Sequence, residues 1–470
     1  MKLLKNYKHV TSKGTKMQYF GKLMVLSALV LVTACGKSEE KVDIEGDRIS
    51  ILSYDRELLV DPRLEETEIQ IPPAFNNSSW TQPGGFPSNA LYHLALGEVE
   101  ELFSVDIVEG NSAQTRIMAS PLVAEGRVFA MGAELDIVAV DASTGKKIWE
   151  QDVVPEWTKK NTSLTRFLGF KEKKLSPDDG FMGGMAYEAG HIFVATGFGE
   201  LVCINAGTGE ITWRVRSDVP FSNAPTVRDG KIYIVAQDSR LQVFATADGK
   251  RIWDYLAITE TAGILSSSSP AVSDQVVVAG FNSGEVVSLR TLNGTENWSD
   301  SLSARSMQVT PISELTAIVG RPVIDRDRVF AVSHGGRMVS IDVRSGERAW
   351  TADVGSIETP WVTLDSVFVV TTDSKVVALT RNLGRIRWIS QLPAFDDEED
   401  REGRISWAGP VLAGGQLIVA SSEGEVYFMS PNNGDITRRI DVGDPISVPP
   451  IVANETLYIL TDEGELLAYR

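Results

Sequence analysis

The sequence predicts an all-β fold: an eight-bladed β-propeller whose ring is closed by an N-terminal strand. Three observations carry that expectation. A tryptophan follows a proline at a spacing of 28 residues in five blocks: Pro121 to Trp149, Pro225 to Trp253, Pro270 to Trp298, Pro322 to Trp350 and Pro360 to Trp388. A glycine stands four residues before each of those tryptophans, at Gly145, Gly249, Gly294, Gly346 and Gly384. Between these markers lie short runs of Val, Ile, Leu and Phe punctuated by Gly, Asp, Asn and Ser, the pattern of antiparallel strands joined by tight turns, with no sustained helical period.

The leader comes first. Lys2, Lys5, Lys8, Lys13, Lys16 and Lys22 precede an apolar stretch from Leu23 to Val32, and small residues follow it. Basic, apolar, then small is the order of an export signal, and about ten apolar residues is half of what a spanning helix needs. The segment Leu31-Val32-Thr33-Ala34-Cys35-Gly36 resembles the lipobox of bacterial lipoproteins. That resemblance implies a signal peptide over residues 1–34 and lipidation of Cys35. Glycine rather than aspartate after the cysteine implies delivery to the outer membrane. Met1 and Met17 are alternative starts that leave the same lipobox.

Residues 35–96 contain Pro62, Pro72, Pro73, Pro83 and Pro87 and the run Asn76-Asn77-Ser78-Ser79, without periodicity. They read as an extended tether, either freely mobile or lying along the surface of the body. The repeats fill residues 97–470. Besides the five complete blocks, one copy has Met185 in the proline slot and keeps Gly209 and Trp213. Another has Arg438 in the tryptophan slot and keeps Pro410 and Gly434. The eighth begins at Pro450, and the chain stops after three of its four strands. An unpaired edge there needs a donor, and Glu101 to Ile107 is the natural one.

Within each copy the segment typified by Asp141-Ala-Ser-Thr-Gly145 supplies a turn with a positive backbone angle, which aims the tryptophan that follows. Trp149, Trp213, Trp253, Trp298, Trp350 and Trp388 are therefore expected to wedge between blades, each indole N–H reaching a neighbouring carbonyl. Cys203 occupies a slot filled elsewhere by Ala139, Val243, Ser288, Ser340, Ala378, Phe428 and Ala468, and reads as a buried small apolar group.

Composition narrows the chemistry. The chain has 45 basic and 63 acidic residues and a net charge of −18; loss of 1–34 takes six lysines and no acid, leaving −24. Such a chain is repelled by nucleic-acid phosphate and anionic headgroups. Two cysteines and four histidines leave little for redox or metal work. His93, His191 and His334 lack ligand spacing. Gly197-Phe-Gly199 is a turn between strands and not a phosphate loop. The acidic run from Asp396 to Glu402 reads as a solvated loop, with a divalent ion or a basic partner as alternatives.

The repeat signature resembles the tryptophan-docking motif of PQQ-like propeller repeats over nearly everything after residue 97. Two classes carry that motif: quinoprotein dehydrogenases and the BamB family of outer-membrane assembly lipoproteins. The dehydrogenases hold their quinone beneath a disulfide of adjacent cysteines and beside a Ca²⁺ ion, whereas here Cys35 is assigned to lipid and Cys203 has no partner. No catalytic residue, cofactor or metal is expected. Resemblance to the BamB family implies a non-enzymatic scaffold on the periplasmic face of the outer membrane. It would dock to the POTRA domains of BamA and contact unfolded outer-membrane protein substrates. The alternatives are a PQQ-dependent periplasmic dehydrogenase and a generic protein-binding envelope propeller. The family's docking loops correspond to Tyr255–Ser269 and Ser301–Gly320. Ile264 matches a leucine position there, Leu265 stands in place of an arginine, and Ala317 and Val319 stand where acids are expected, with Glu314 the nearest acid.

Overall fold

The computed structural model describes residues 58–64, 67–155, 183–259, 268–303 and 316–470, and Cys35, Ile264, Leu265 and Glu314 lie outside them. Among the described residues there is no helix, and eight four-stranded antiparallel sheets account for nearly all regular structure. In chain order the first seven blades span 122–152, 183–216, 226–256, 271–301, 323–352, 361–391 and 407–441. Three strands of the eighth lie within 451–469. Its fourth and outermost strand is Glu101–Asp106, paired antiparallel with Glu465–Tyr469, so the two ends of the chain close the ring in one sheet.

Burial follows position in the blade. The second and third strands are almost entirely buried, as in Arg127–Met131 and Asp136–Asp141. The outer strand Lys147–Asp152 alternates between exposed and half-buried, as expected of an edge. In the outer pair of each blade the register slips by one residue beside the tryptophan or the residue in its slot: Ala139 faces Trp149, but Val140 faces Lys147. The bulge turns Ile148 outward and Trp149 toward the next blade.

The glycine before each tryptophan has two reasons to be glycine. Asp141 accepts backbone N–H bonds from Ser143 and Thr144 at 3.0 Å each, and the turn ends on Gly145 at φ +69°. The corresponding glycine of each following blade also lies under the preceding tryptophan: a Cβ on Gly209 would stand 2.8 Å from the ring of Trp149. Turn geometry and blade packing thus converge on one position. Each indole then donates to a carbonyl of the next blade. The bonds are Trp149 to Ala206 (3.0 Å), Trp213 to Thr246 (3.1 Å), Trp253 to Thr291 (3.4 Å), Trp298 to Val343 (2.9 Å), Trp350 to Arg381 (2.8 Å) and Trp388 to Pro431 (2.9 Å).

Two blades lack tryptophan, and each solves the contact differently. In the seventh, Arg438 faces Phe428 across the strands, lies 5.6 Å over its ring, and donates to the carbonyls of Glu98 and Val99 at 3.0 Å. Phe428 fills a slot that is mostly small elsewhere because it supports the guanidinium as well as the core. In the eighth, Phe103 takes the tryptophan slot, opposite Ala468 and against Gly145. A phenyl ring has no N–H to give. The missing bond comes from Tyr458, whose hydroxyl donates to Ala142 O at 3.0 Å, the carbonyl equivalent to Ala206 O.

Part of the segment read as a tether belongs to the ring. Residues 77–97 make one circuit of a single face and bond to every blade. Asn77 Nδ2 donates to Val452 O in the eighth blade, and Trp80 exchanges two backbone bonds with Val123 in the first. Thr81 O accepts from Tyr187 N in the second. Gln82 spans the second and third blades, Pro87 O accepts from Val272 N in the fourth, and Ser88 O accepts from Ile324 N in the fifth. Tyr92 O accepts from Trp361 Nε1 in the sixth; Leu94 exchanges bonds with Leu412 and Gly414 in the seventh; Gly97 N donates to Glu455 O back in the eighth. In seven blades the residue so held lies two positions after the proline slot. This segment, the girdle, satisfies inner-strand groups that the four-stranded blades leave open. Its burial agrees, with Trp80 at 3% and Leu94 at 0% exposed.

Candidate partner-binding face

The girdle defines two faces. On its own side lie the turns between first and second strands and between third and fourth strands; Thr291 N bonding to Gln275 O shows the two turn sets side by side. On the far face lie the turns between second and third strands and the connections from one blade to the next. The two loops expected to dock a partner are such connections.

The described ends of those loops are held firmly. The outer strand Arg251–Leu256 leads into the first, with Asp254 paired to Arg240 (3.0 Å) and the Tyr255 hydroxyl donating to Glu296 (2.8 Å). Burial and that carboxylate raise the phenol of Tyr255 well above its ordinary range, so it stays a neutral donor. Ile258 N donates to Glu285 at 3.1 Å. Beyond these anchors the chain presents Leu256 and Ile258, 54% and 60% exposed. At the loop's exit Asn223 Nδ2 donates to Ser268 O (2.6 Å), and Ser268 Oγ donates to Gly320 O (3.1 Å), tying the exit of the first loop to that of the second. The second loop leaves from Ser303, whose carbonyl accepts from Arg337 (2.8 Å), next to the bidentate pair Arg348–Asp300 at 2.7 and 2.8 Å.

Ala317 and Ile318 are buried to 1% and 0%, with backbone bonds from His334 N to Ala317 O and from Ile318 N to Phe281 O. Ala317 is therefore core and presents no side chain to a partner. Leu256 and Ile258 were not singled out in the sequence; an exposed apolar residue every second position just past a blade tryptophan is the signal that marks them.

The other sequence candidates are spread around the ring. Cys203 is buried opposite Trp213 and Phe193, and burial pushes its thiol up to about 11. His93 sits in the girdle, with Nδ1–H donating to Pro72 O (2.7 Å) and Nε2 accepting from Gly415 N (2.8 Å). His191 and His334 stand on other blades. The acidic run forms the tip of a hairpin, Phe395–Asp397 with Glu402–Arg404. Asp397 there accepts from Glu399 N and Asp400 N, and Glu398 from Ala394 N and Phe395 N, so two of its carboxylates serve the turn itself. Among the described residues no group of three or more His, Cys, Asp or Glu is placed to hold a metal ion.

The ring axis under the girdle holds a cavity of about 30 Å³, lined by Trp80, Arg321, Glu358 and Trp361 among others. That is room for one or two waters. Glu358 is half-buried there and accepts from Gly409 N at 3.3 Å; desolvation pushes its carboxyl up to about 7, against the pull of Arg321.

A family profile, that of outer membrane protein assembly factor BamB, matches residues 100–172 and 133–390. The BamB of Yersinia pestis is 25% identical over 344 residues, covering 73% of this chain and 81% of the relative. Among solved structures, BamB from Moraxella catarrhalis superposes with a TM-score of 0.62 at 17% identity, covering 79% of this chain and 99% of that one. The quinohemoprotein alcohol dehydrogenase from Comamonas testosteroni superposes at 0.60 with 12% identity, covering 84% and 81%. At such identities superposition shows the propeller alone, and both classes share it. Sequence separates them, and the match over more than half of its length shows that this chain belongs to the BamB family of outer membrane protein assembly factors.

Proposed function

We propose that this chain is a non-enzymatic scaffold of the outer-membrane β-barrel assembly complex, anchored through a lipid on Cys35 to the periplasmic face of the outer membrane. It docks to the POTRA domains of BamA by the far face of its third and fourth blades. The observation that carries the docking reading is the exposed pair Leu256 and Ile258, held at a strand end and followed in the sequence by Ile264 and Leu265. Apolar side chains presented from a fixed edge suit insertion into a partner groove. Contact with unfolded outer-membrane protein substrates fits the exposed outer strands of the blades.

A PQQ-dependent dehydrogenase shares the fold, but these residues do not fit the quinone. Cys203 is single and buried, and no cluster for Ca²⁺ occurs among the described residues.

The test is co-purification from detergent-extracted membranes. BamA is expected to accompany the intact chain and to be lost with Ile258→Asp combined with Ile264→Asp. Recovery of the chain free of BamA under mild extraction would refute the docking reading. Alcohol-dependent dye reduction after addition of PQQ and Ca²⁺ would refute the non-enzymatic one.

A further inference from the structure

On the girdle face, between the fourth and fifth blades, lies a groove of about 730 Å³. Arg290, Arg326 and Arg344 line it, and Asp274 is the only acid there. Asp274 is already engaged by Arg228. Among the described residues none of the three lining arginines has a carboxylate partner: Arg290 donates to Asn297, Arg326 lies 5.9 Å over the ring of Tyr92, and Arg344 makes only a backbone bond to Asp342. Elsewhere among the described residues arginines such as Arg228, Arg348, Arg381 and Arg385 hold a carboxylate within 4 Å. Three that converge on one groove with no carboxylate partner among the described residues form a site for anionic oxygen, a local exception to the acidic excess that repels such groups from the chain as a whole.

The apolar groups around it identify what carries the anion. Leu292, at the tip of a turn on the groove rim, is 78% exposed. Leu383 and Leu364, on turns of the sixth blade on the same face, are 59% and 39% exposed. Leu59, 74% exposed, lies beside them, because Asp61 N bonds to Ile386 O and the Asp61 carboxylate pairs with Arg385. Leucines on turn tips flanking unpaired arginines are the elements of an interfacial membrane contact: apolar tips enter the acyl boundary and cations meet headgroup phosphates. The described chain also begins on this face, at Leu58.

We infer that the girdle face of the fourth to sixth blades rests on a phospholipid surface, with Arg290, Arg326 and Arg344 receiving headgroup phosphates and Leu292 and Leu383 inserting. The inference rests on the proposed Cys35 anchor for its setting. It predicts that the lipid does more than tether the ring: the ring is oriented, with its far face directed into the periplasm.

The test uses the full lipidated chain in vesicles of phosphatidylethanolamine and phosphatidylglycerol. A fluorophore is placed at Leu292→Cys or, on the far face, at Glu423→Cys, and lipids brominated near the headgroup serve as quencher; buried Cys203 does not take label. About a twofold loss of fluorescence is expected at position 292 and none at 423, with the loss reversed by high salt and by Arg290→Glu with Arg344→Glu. Leu292→Ser, an exposed change that leaves the fold intact, carries no label and is read by the salt concentration that releases the labelled surface in a Leu383→Cys background: release at lower salt supports the contact. Equal quenching at 292 and 423, or none at 292, overturns it. If a protein carboxylate fills the groove in place of lipid, position 292 stays unquenched in pure lipid vesicles, which also overturns it. The mass of the mature N-terminal peptide reads Cys35 acylation separately, so the anchor can fail while quenching at 292 still decides the surface.

Discussion

Gln82 tests whether the girdle is structure or tether. Its side chain is 2% exposed and bridges two blades with three bonds: Nε2 donates to Val227 O (3.1 Å) and Tyr187 O (3.3 Å), and Oε1 accepts from Val227 N (2.9 Å). Gln82→Ala removes all three and leaves a buried backbone N–H and two carbonyls without that partner. An orphaned buried polar group costs roughly 1–3 kcal/mol, with carbonyls toward the low end, so a loss of about 3–4 kcal/mol is expected. A folded unit of some 400 residues has an unfolding entropy near 0.8 kcal/mol per degree, so the melting temperature falls by about 4 °C. Gln82→Glu keeps the size but turns a donor into an oxygen that faces two carbonyls, and is expected to cost more. The assay is calorimetric or urea unfolding of the purified chain, with amide exchange at Val227 as local readout. A change below about 0.5 kcal/mol, the range of ordinary surface substitutions, would refute the girdle and restore a dispensable tether.

Tyr458→Phe should cost about 1 kcal/mol by leaving Ala142 O unpaired. Adding Phe103→Trp should recover it, because Trp opposite Ala468 reproduces the Trp149–Ala139 pair and brings its own N–H; a urea midpoint unchanged in the single variant refutes the reading. Glu358 has a carboxyl raised from 4.5 to about 7, so its protonated form is favoured by folding. Its contribution is complete below about pH 4.5 and disappears as pH rises through 7. Glu358→Gln should therefore gain stability relative to the parent over that window, by about 1–3 kcal/mol at pH 8 once its partial exposure is allowed for, and a pH-independent difference contradicts this. Cys203, buried with its thiol pushed up to about 11, should resist maleimide at pH 8 until the chain is unfolded in urea.

The blades were legible because the contacts that define them are local and repeated. Pro121 to Trp149 encloses one complete sheet, and the glycine in each turn is dictated both by φ and by the indole of the blade before. The closing strand was legible for a different reason, since three strands at the C-terminus leave an edge that must be paired. A chain lying along the body was legible as one of two alternatives, but its circuit through every blade was not. Its bonds run mainly through backbone groups of Trp80, Thr81, Pro87, Ser88 and Leu94, and backbone bonding leaves no period in side-chain type. Pro83 and Pro87, which argue for a linker, are tolerated because a chain crossing blade after blade needs no continuous strand. Nor did the sequence disclose that Tyr458 completes the contact begun by Phe103, because the two lie 355 residues apart and meet only when the ring closes. The docking face was legible as two loops, but the inward packing of Ala317 and the exposure of Leu256 and Ile258 depend on which way each residue points at a strand end.

The girdle also bears on how force and position reach the ring. A chain attached to one blade alone would pass any load at its N-terminal end into that blade's outer strand, the least buried element. Here the first attachments are to the outer strand of the sixth blade, where Asp61 bonds to Ile386 O and pairs with Arg385, and Arg387 donates to Thr67 O and pairs with Asp365. Behind these lies the circuit from Asn77 to Gly97. Between them, the buried pair Arg381–Asp325 at 2.7 Å joins the fifth and sixth blades, and the Tyr92 hydroxyl donates to the same aspartate. The guanidinium of Arg381 thus braces the girdle while its carbonyl accepts the indole of Trp350. Removing Arg381 would strand a buried carboxylate and release both contacts, so inter-blade packing and girdle attachment are coupled at one residue. The girdle's bonds to every blade, from Asn77 with Val452 to Gly97 with Glu455, therefore back up a first attachment that lies on one outer strand.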